Sequence, residues 1–244
     1  MGFNAKEQTE NCIRWIQTWF EKHSGNAQGA ILGISGGKDS TVVAGLLCKA
    51  LGKERVFGVL MPNGVQKDIS DSHRVCEFLD IKNIAVNIEA AYKGMTGAIG
   101  MELSTHTNTN IPPRIRMTTL YALGQEMNYR VAGTGNLSER YIGYTTKWGD
   151  GACDFNPIGD FTTEEVISVG VVLGLPKDLI EKIPADGLTG KTDEENIGFS
   201  YQILNRYIRE GICEDAVIKK KIDRLHQISS HKREPVPMFQ IIKK

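Results

Sequence analysis

One stretch of this sequence decides its fold: Leu32-Gly33-Ile34-Ser35-Gly36-Gly37-Lys38-Asp39-Ser40. The apolar run at residues 30–34 predicts a short buried strand, and residues 38–51 predict a helix that ends near Gly52. The turn between them contains two glycines, which allow backbone N–H groups to approach an anion closely. The start of the helix adds aligned N–H donors with partial positive charge. The stretch therefore predicts an anion-binding turn at the carboxyl end of a buried strand.

The side chains of this turn include one residue that an anion site would not ordinarily contain. Ser35 and Ser40 supply hydroxyl donors and Lys38 supplies a positive charge, but Asp39 would repel a phosphate group. Mg²⁺ between the carboxylate and the phosphate oxygens is the simplest way to remove that repulsion. The spacing differs from G-x-x-x-x-G-K-[ST] and from G-x-G-x-x-G, so neither of those motifs is present here. A bare S-G-G tripeptide is usually an ordinary turn, but the full set between a strand and a helix favours a phosphate site.

Strands and helices alternate on both sides of this turn. Further strands are predicted at 55–61, 83–88 and 129–133. Helices are predicted at 5–22, 67–79, 114–128, from Thr162 or Thr163 towards 174, from Pro176, and at 193–210 and 213–230. Residues 104–110 and 138–160 are predicted as loops, 184–191 as a mobile loop, and the tail after Lys232 as irregular. This order predicts an α/β fold, a parallel sheet with helices on both faces.

Ligands of such sheets bind at the carboxyl ends of the strands. This rule places three segments on one rim: the turn after Ile34, the turn at 62–64 and the turn at 133–136. The rule predicts where a site lies, but not what the site does.

The bulk composition narrows the class of protein. The 244 residues balance 29 Lys and Arg against 29 Asp and Glu, so no net charge favours nucleic acid or a membrane surface. The five cysteines show no C-x-x-C spacing, which is typical of a reduced cytoplasmic protein. The sequence contains no uninterrupted apolar run long enough for a membrane span. We therefore expect a single cytoplasmic domain over residues 1–244.

The stretch at 32–40 resembles the SGGxDS pyrophosphate-binding loop of the ATP pyrophosphatase superfamily. Two further runs make the resemblance more specific: 133–139 (GTGNLSE) and 143–154 (GYTTKWGDGACD). With the 191–194 stretch (KTDE) and the pair His231-Lys232, nearly the whole chain is similar to ammonia-dependent NAD synthetase. The resemblance implies a fold like that of the adenine nucleotide alpha hydrolases, which is Rossmann-like.

The resemblance also implies a reaction and its substrates. ATP, ammonia and deamido-NAD (nicotinic acid adenine dinucleotide) would give NAD, AMP and pyrophosphate, with Mg²⁺ as the cofactor. A carboxylate is a poor electrophile, and its transfer to AMP creates a mixed anhydride that ammonia can attack. Mg²⁺ and Lys38 would offset the negative charge on the phosphates. Because no covalent enzyme intermediate is needed, the lack of an obvious nucleophile agrees with this chemistry.

Roles for individual residues follow from the same resemblance. The ATP-binding set is Gly33, Ile34, Ser35, Gly36, Gly37, Lys38, Asp39, Ser40 and Thr134, within which Lys38 and Asp39 are the catalytic pair. The Mg²⁺ set is Asp39 and Glu139. The deamido-NAD set is Arg114, Lys147, Asp154, His231 and Lys232. The aromatic face of Tyr144 suggests stacking on the pyridine ring.

Each residue outside the first turn also has a structural interpretation. Glu139 and Arg114 could be solvated charges, and Lys147 could pair with Asp154 within one loop. The pair His231-Lys232 lies at a helix end, where cations are favourable in any protein.

The chain also departs from the family pattern at two positions. Many members carry a Lys that touches ATP where this chain has Thr163, and often a Ser where it has Ala185. Another group must then replace the lysine charge, or the contact is dispensable.

Assembly and nitrogen source also follow from the resemblance. The synthetase pattern begins near residue 30, so no glutamine amidohydrolase domain is expected and free ammonia is the predicted donor. The family forms homodimers, and residues 114–128 are a candidate contact face. Other readings are a GMP synthetase core, a tRNA thiolation enzyme, and a non-catalytic ATP-sensing module. A tRNA thiolation enzyme usually shows paired cysteines or a basic RNA-binding face, and this sequence has neither. The GMP synthetase class lacks the run at 147–151 (KWGDG), and a sensing module has no need for both Asp39 and Glu139 with a second nucleotide site.

Overall fold

The computed structural model describes residues 2–66, 68–182 and 192–241. Its elements in chain order are α1 (Ala5–His23), β1 (Gly29–Gly33), α2 (Lys38–Leu51), β2 (Val56–Leu60), α3 (Ile69–Leu79), β3 (Lys82–Ala85), α4 (Glu89–Ile99), α5 (Thr105–Met127), β4 (Tyr129–Val131), α6 (Leu137–Ile142), α7 (Thr163–Val172), α8 (Lys177–Ile180), α9 (Asp193–Ile197), α10 (Tyr201–Glu210) and α11 (Ala216–Ile228). Short 3₁₀ turns lie at Lys53–Arg55 and Ser230–Lys232.

The four strands form one parallel sheet in the order β3-β2-β1-β4. β1 is an inner strand, with Leu32 opposite Gly58 of β2 and Ile31 opposite Val131 of β4. Both faces of β1 are covered, which explains why its sequence is a continuous apolar run rather than an alternating one. The parallel sheet predicted from the sequence is confirmed, and β1, β2 and β4 end at the same edge.

Helices cover both faces of the sheet. On one face, α1, α2 and α7 form the larger core cluster, which includes Ile16, Leu46 and Val166. On the other face, α5 packs Met117 and Leu120 against Ile31 and its neighbours. Complete burial of each such side chain contributes about 1.5–3 kcal/mol, so both layers hold β1 in place.

A third, smaller core cluster joins α6 to the C-terminal helices of the described chain. Ile142 of α6 packs there with Phe199, with Leu204 of α10 and with Ile222 of α11. This cluster attaches the last helices, and the 3₁₀ turn that follows them, to the short helix α6. The turn at Ser230–Lys232 is thereby brought near the sheet edge at which the strands end.

The predicted loop at 104–110 is wrong, because α5 already begins at Thr105. Ser104 caps the helix by accepting the N–H of Thr107 at 3.2 Å. The polar residues that suggested a loop bond back to helix carbonyls: Thr109 Oγ1 donates to the carbonyl of Thr105 at 2.8 Å. Pro112 and Pro113 therefore lie inside the helix and not in its first turn. Residues 89–99, which gave no clear pattern, form α4.

Two other predictions also need correction. The predicted loop at 138–160 contains most of the helix α6. The single helix predicted at 193–210 is two helices, because Gly198 adopts a left-handed φ of 78° and Ser200 caps the second. The predicted mobile loop at 184–191, which includes Ala185, lies outside the described residues.

Candidate active site

The serines of the turn between β1 and α2 hydrogen-bond to its backbone. Ser35 Oγ accepts the N–H of Gly37 at 3.2 Å, and Ser40 Oγ accepts the N–H of Ser35 at 3.2 Å. Gly36 occupies the left-handed region with φ +76°. No side chain caps the start of α2, whereas Asn136 and Thr162 cap α6 and α7. Among the described residues, the first N–H groups of α2 therefore have neither an intrahelical nor a side-chain partner, which suits an anion.

A chain of hydrogen bonds joins this turn to α6. Lys38 Nζ donates to Asp39 Oδ2 at 2.8 Å, and the lysine is only 3% exposed. Asn136 Nδ2 donates to Asp39 Oδ1 at 3.0 Å, while the backbone N–H of Asn136 donates to Glu139 Oε2 at 3.2 Å. Asn136 thus holds two carboxylates from distant parts of the chain beside one buried ammonium group.

The electrostatics of this group disfavour two ionised carboxylates side by side. Loss of hydration raises the pKa of Glu139 well above its usual range, and the charge of Asp39 adds to this effect. Burial alone would lower the pKa of Lys38, but Asp39 and Glu139 outweigh burial and the pKa is raised. A charged Lys38 faces two carboxylates, so a further cation would relieve their repulsion.

The donor set fits Mg²⁺ as the implied metal. Mg²⁺ is usually held by one or two carboxylates together with substrate phosphates and water, and Asp39 and Glu139 would supply those carboxylates here. Over the described ranges, no cluster of three or more His, Cys, Asp or Glu is arranged to hold a metal by protein groups alone.

A cavity of about 240 Å³ opens beside these charges. Its lining comes from the first turn, from the turn after β4, from α6 and from the loop that follows α6: Ser35, Gly37, Asp39, Ser40, Thr134, Gly135, Glu139, Tyr144 and Asp150. Five of the nine predicted ATP residues, both predicted Mg²⁺ ligands and Tyr144 therefore line one space, whereas Gly33, Ile34, Gly36 and Lys38 are not part of its lining. A larger, more open depression between α3 and α8 contains none of the predicted site residues.

Four of the five residues predicted for the second substrate meet at the loop that follows α6, on either side of Tyr144 in the contacts that they make. Arg114 Nε donates to the carbonyl of Lys147 at 3.3 Å, and Lys147 Nζ donates to the carbonyl of His231 at 2.6 Å. Lys232 Nζ donates to the carbonyls of Gly143 and Thr145 at 2.7 and 2.6 Å. We call Arg114, Lys147, His231 and Lys232 the cationic rim. Lys232 bonds the loop backbone here, and burial followed by the nearby charge of Arg114 lowers its pKa.

Asp154 has a different position from the other predicted substrate residues. Its Oδ2 accepts the N–H of Val131 at 2.8 Å, and its Oδ1 accepts the hydroxyl of Tyr121 at 3.2 Å. Both oxygens thus tie the loop to β4 and α5, and Asp154 is not part of the cavity lining. Lys147 bonds His231, so the suggested Lys147–Asp154 pair does not appear among the ion pairs of the described chain.

Sequence reasoning assigned no role to three polar residues of the site. Asn136 forms a capping box with Glu139, and an N-x-x-E pattern was a signal that could have revealed it. Asp150 lines the cavity and accepts the N–H of Thr146 at 2.8 Å. Although Asp150 is an exposed residue, protein atoms crowd its carboxylate, and the lost hydration raises its pKa. Asp193, 8% exposed, lies close enough to help raise the pKa of Lys38.

Thr163, where family members often carry lysine, lies beneath the site. Its backbone N–H donates to Ser138 Oγ at 3.1 Å, and that hydroxyl donates to Asn205 Oδ1 at 2.6 Å. Thr163 Oγ1 is buried and has no partner within the described part of the chain. The charge that a lysine would add at this position is therefore not supplied by Thr163, and Lys38 is the buried cation nearest to the two carboxylates.

Comparison with known proteins gives a consistent result. The family model described as NAD synthase matches residues 9–239. The NH₃-dependent NAD⁺ synthetase of Carboxydothermus hydrogenoformans is 39% identical over 98% of this chain and 100% of its own length. Among solved structures, the NMN synthetase of Francisella tularensis has a TM-score of 0.91 at 31% identity, covering 98% of this chain and 100% of that one. The NH₃-dependent NAD synthetase of Campylobacter jejuni has a TM-score of 0.81 at 27% identity, with the same coverage.

Proposed function

The chain belongs to the NAD synthase family, and from this membership we propose that it amidates deamido-NAD with ammonia at the expense of ATP. The products are NAD, AMP and pyrophosphate. The observation that carries the proposal is the joining of Lys38, Asp39 and Glu139 beside the uncapped start of α2, with the cationic rim bonded to the loop that carries Tyr144. A GMP synthetase core, a tRNA thiolation enzyme and an ATP-sensing module are not supported by this membership.

The first chemical step is the activation of the carboxylate. The triphosphate binds to the free N–H groups at the start of α2, and Lys38 offsets its charge. A carboxylate oxygen of deamido-NAD bonds to the α-phosphorus of ATP while the bond to pyrophosphate breaks. Mg²⁺, held by Asp39 and Glu139, would supply positive charge to the phosphate oxygens. Because Lys38 is buried and fixed by Asp39, its charge is in place before the reaction begins.

The second step forms the amide. Ammonia bonds to the acyl carbon, the bond to AMP breaks, and the nitrogen loses a proton. Position would support this step, because Tyr144, Asp150 and Glu139 line the same cavity. Holding both nucleotides in one cavity makes the reaction effectively unimolecular, which is a large part of such a rate enhancement.

A nicotinic acid mononucleotide acceptor is the second candidate. The Francisella protein is named for making NMN, the mononucleotide half of NAD, and its fold is very similar to this one. The two acceptors carry the same reacting carboxylate and differ in the adenosine half. The cavity near Asp39 and Glu139 would serve either of them.

One assay tests the proposed function and separates the two acceptors. The protein is incubated with ATP, Mg²⁺ and ammonium, and with either deamido-NAD or nicotinic acid mononucleotide. We expect NAD, AMP and pyrophosphate in equal amounts with deamido-NAD, at a higher kcat/KM than with the mononucleotide. Preference for the mononucleotide would favour the second candidate, and no amide from either acceptor would reject both.

The proposal includes a homodimer. β3 lies at the edge of the sheet and exposes Ile84, and α4, which follows it, exposes Met95 and Ile99. An exposed edge strand together with large exposed apolar side chains is a typical contact surface between subunits. Residues 114–128, the contact face proposed from the sequence, lie in α5, which exposes Tyr121. Light scattering after gel filtration should give twice the mass of one chain, and the mass of one chain would reject the dimer.

The proposed location is the cytoplasm. The described residues include five free cysteines and no disulfide, as expected in a reducing compartment. None of the described helices is both long and apolar enough to cross a bilayer.

A further inference from the structure

Trp148 has a backbone conformation that its side chain does not favour. Its φ is +64°, and the other non-glycine residues with positive φ in the described chain are Asn26, Asp80 and Asn128. Asn and Asp tolerate the left-handed region, whereas a bulky aromatic residue rarely adopts it. Hydrogen bonds of the surrounding turn hold it there: Gly149 N–H donates to the carbonyl of Thr146 at 2.9 Å, and Thr146 N–H donates to Asp150.

This conformation turns a large ring towards solvent. Trp148 is 60% exposed, although Trp side chains are usually well buried. The loop beneath it is fixed, because a Cβ on Gly149 would lie 2.9 Å from Pro113 Cβ of α5. The Trp148 ring therefore projects from a loop that is packed closely against α5. An exposed aromatic ring on a rigid, strained turn is a feature of ligand-binding surfaces.

The neighbours of the ring indicate which ligand it suits. Lys147 Nζ lies 5.5 Å from the centre of the Trp148 ring, and Lys147 also bonds His231 and Arg114. The ring thus adjoins the cationic rim. A flat aromatic surface beside positive charges fits a ligand that combines an aromatic base with phosphate groups, which is a nucleotide.

Two nucleotides bind in the proposed reaction, and position distinguishes them. Asp39, Glu139 and Tyr144 line the cavity and lie where the nicotinate carboxylate must react. Trp148 is not in that lining, and its ring adjoins Lys147 of the cationic rim. The ring adjoins rim residues that the resemblance assigns to deamido-NAD, and the adenosine half of that nucleotide is the part that lies away from the reacting carboxylate. We propose that the Trp148 indole stacks on the adenine ring of deamido-NAD; this inference rests on the proposed function.

Fluorescence gives a test that does not depend on turnover. The chain has three tryptophans, of which Trp19 stacks on Phe155 and Trp15 lies on α1. Deamido-NAD is titrated in the presence of Mg²⁺ and α,β-methylene-ATP, which cannot release pyrophosphate. We expect quenching in the wild type and in the control Trp15→Phe, and loss of most of that quenching in Trp148→Gly.

Steady-state kinetics then show which ring of the ligand stacks on Trp148. Trp148→Gly removes the ring while glycine suits the left-handed backbone, so the thermal unfolding midpoint should not fall. We expect an increase of about 10-fold in KM for deamido-NAD, the order that one base–aromatic stack provides. The KM for ATP and the kcat should stay unchanged. The KM for nicotinic acid mononucleotide, which has no adenine, should also stay unchanged, and Trp148→Phe should restore most of the affinity for deamido-NAD.

Several results would overturn the inference. These are quenching that persists in Trp148→Gly, an equal rise in KM for both acceptors, and a change of oligomeric mass in the variant, which would place Trp148 at a subunit contact. Failure of the proposed function has a different signature, because the wild type itself would then form no NAD. Quenching by deamido-NAD that is lost in Trp148→Gly would in that case still support the stacking role.

Discussion

Replacing Asp39 by asparagine is expected to lower kcat by about 1,000-fold, the upper end of what loss of one preorganised electrostatic group causes. Asp39 accepts hydrogen bonds from both Lys38 and Asn136, and it is one of two carboxylates available to Mg²⁺. Asparagine keeps the size of the side chain but removes its charge. Lys38 then loses its ion-pair partner, and the metal site loses a ligand. Steady-state formation of NAD and pyrophosphate measures the effect.

The loss must be shown to come from chemistry and not from unfolding. Asp39 lies at the open side of the turn, so we expect Asp39→Asn to keep a cooperative thermal transition. Asp178→Asn is a suitable control, because Asp178 also forms an ion pair, with Arg74, but lies on α8 away from the cavity. The control should keep full activity. Turnover of Asp39→Asn equal to that of the wild type at saturating Mg²⁺ would refute the metal role of Asp39.

Replacing Gly36 by alanine is expected to destabilise the fold by about 2–5 kcal/mol, the sum of two separate effects. The first is the left-handed φ of +76°, which costs about 1–2 kcal/mol for a residue with a Cβ. The second is overlap, because the new Cβ would lie 2.8 Å from both Asp71 Cβ and Ser72 N in α3. To relieve the overlap, either the turn between β1 and α2 or the start of α3 must shift. Because that turn is proposed to bind the phosphates of ATP, the KM for ATP should rise as well.

Gly211→Ala separates these two effects. Gly211 has a similar φ of +72°, but no atom of the described residues outside its immediate neighbours lies within 4 Å of its added Cβ. It should therefore cost only the conformational part, about 1–2 kcal/mol, with unchanged KM for ATP. Denaturant unfolding gives both values. Equal destabilisation by the two substitutions, with normal ATP affinity in Gly36→Ala, would show that close packing of the turn against α3 does not matter.

The sequence was most informative where burial produces a local pattern. Because β1 is covered on both faces, its residues form a continuous apolar run that predicts a strand. The serines and glycines of the turn between β1 and α2 then mark where the helix begins. The start of α5 was harder to predict, because its first turns are polar. They are stabilised by side-chain hydrogen bonds such as that from Thr109 Oγ1 to the carbonyl of Thr105. Such bonds leave no apolar periodicity to detect, and the prolines suggested a later start.

The sequence predicted most residues of the site, but not the contacts between them. Asn136 and Asp39 are 97 positions apart, and no spacing rule reveals their hydrogen bond. The same is true of Lys147 and His231, which are 84 positions apart. The resemblance to a family indicated which residues belong to the site. Only the structure shows that Lys232 bonds the backbone of a loop and that Asp154 bonds β4. Long-range contacts of this kind depend on how the elements pack together.

Transfer of oxygen from the acceptor to AMP tests the adenylation chemistry most directly. Deamido-NAD labelled with oxygen-18 in its carboxylate is converted with ATP, Mg²⁺ and ammonium, and the products are examined by mass spectrometry. If the carboxylate is activated by bonding to the α-phosphorus, each AMP formed carries one labelled oxygen and pyrophosphate carries none. Unlabelled AMP, or label in inorganic phosphate or pyrophosphate, would contradict an adenylated carboxylate at this site.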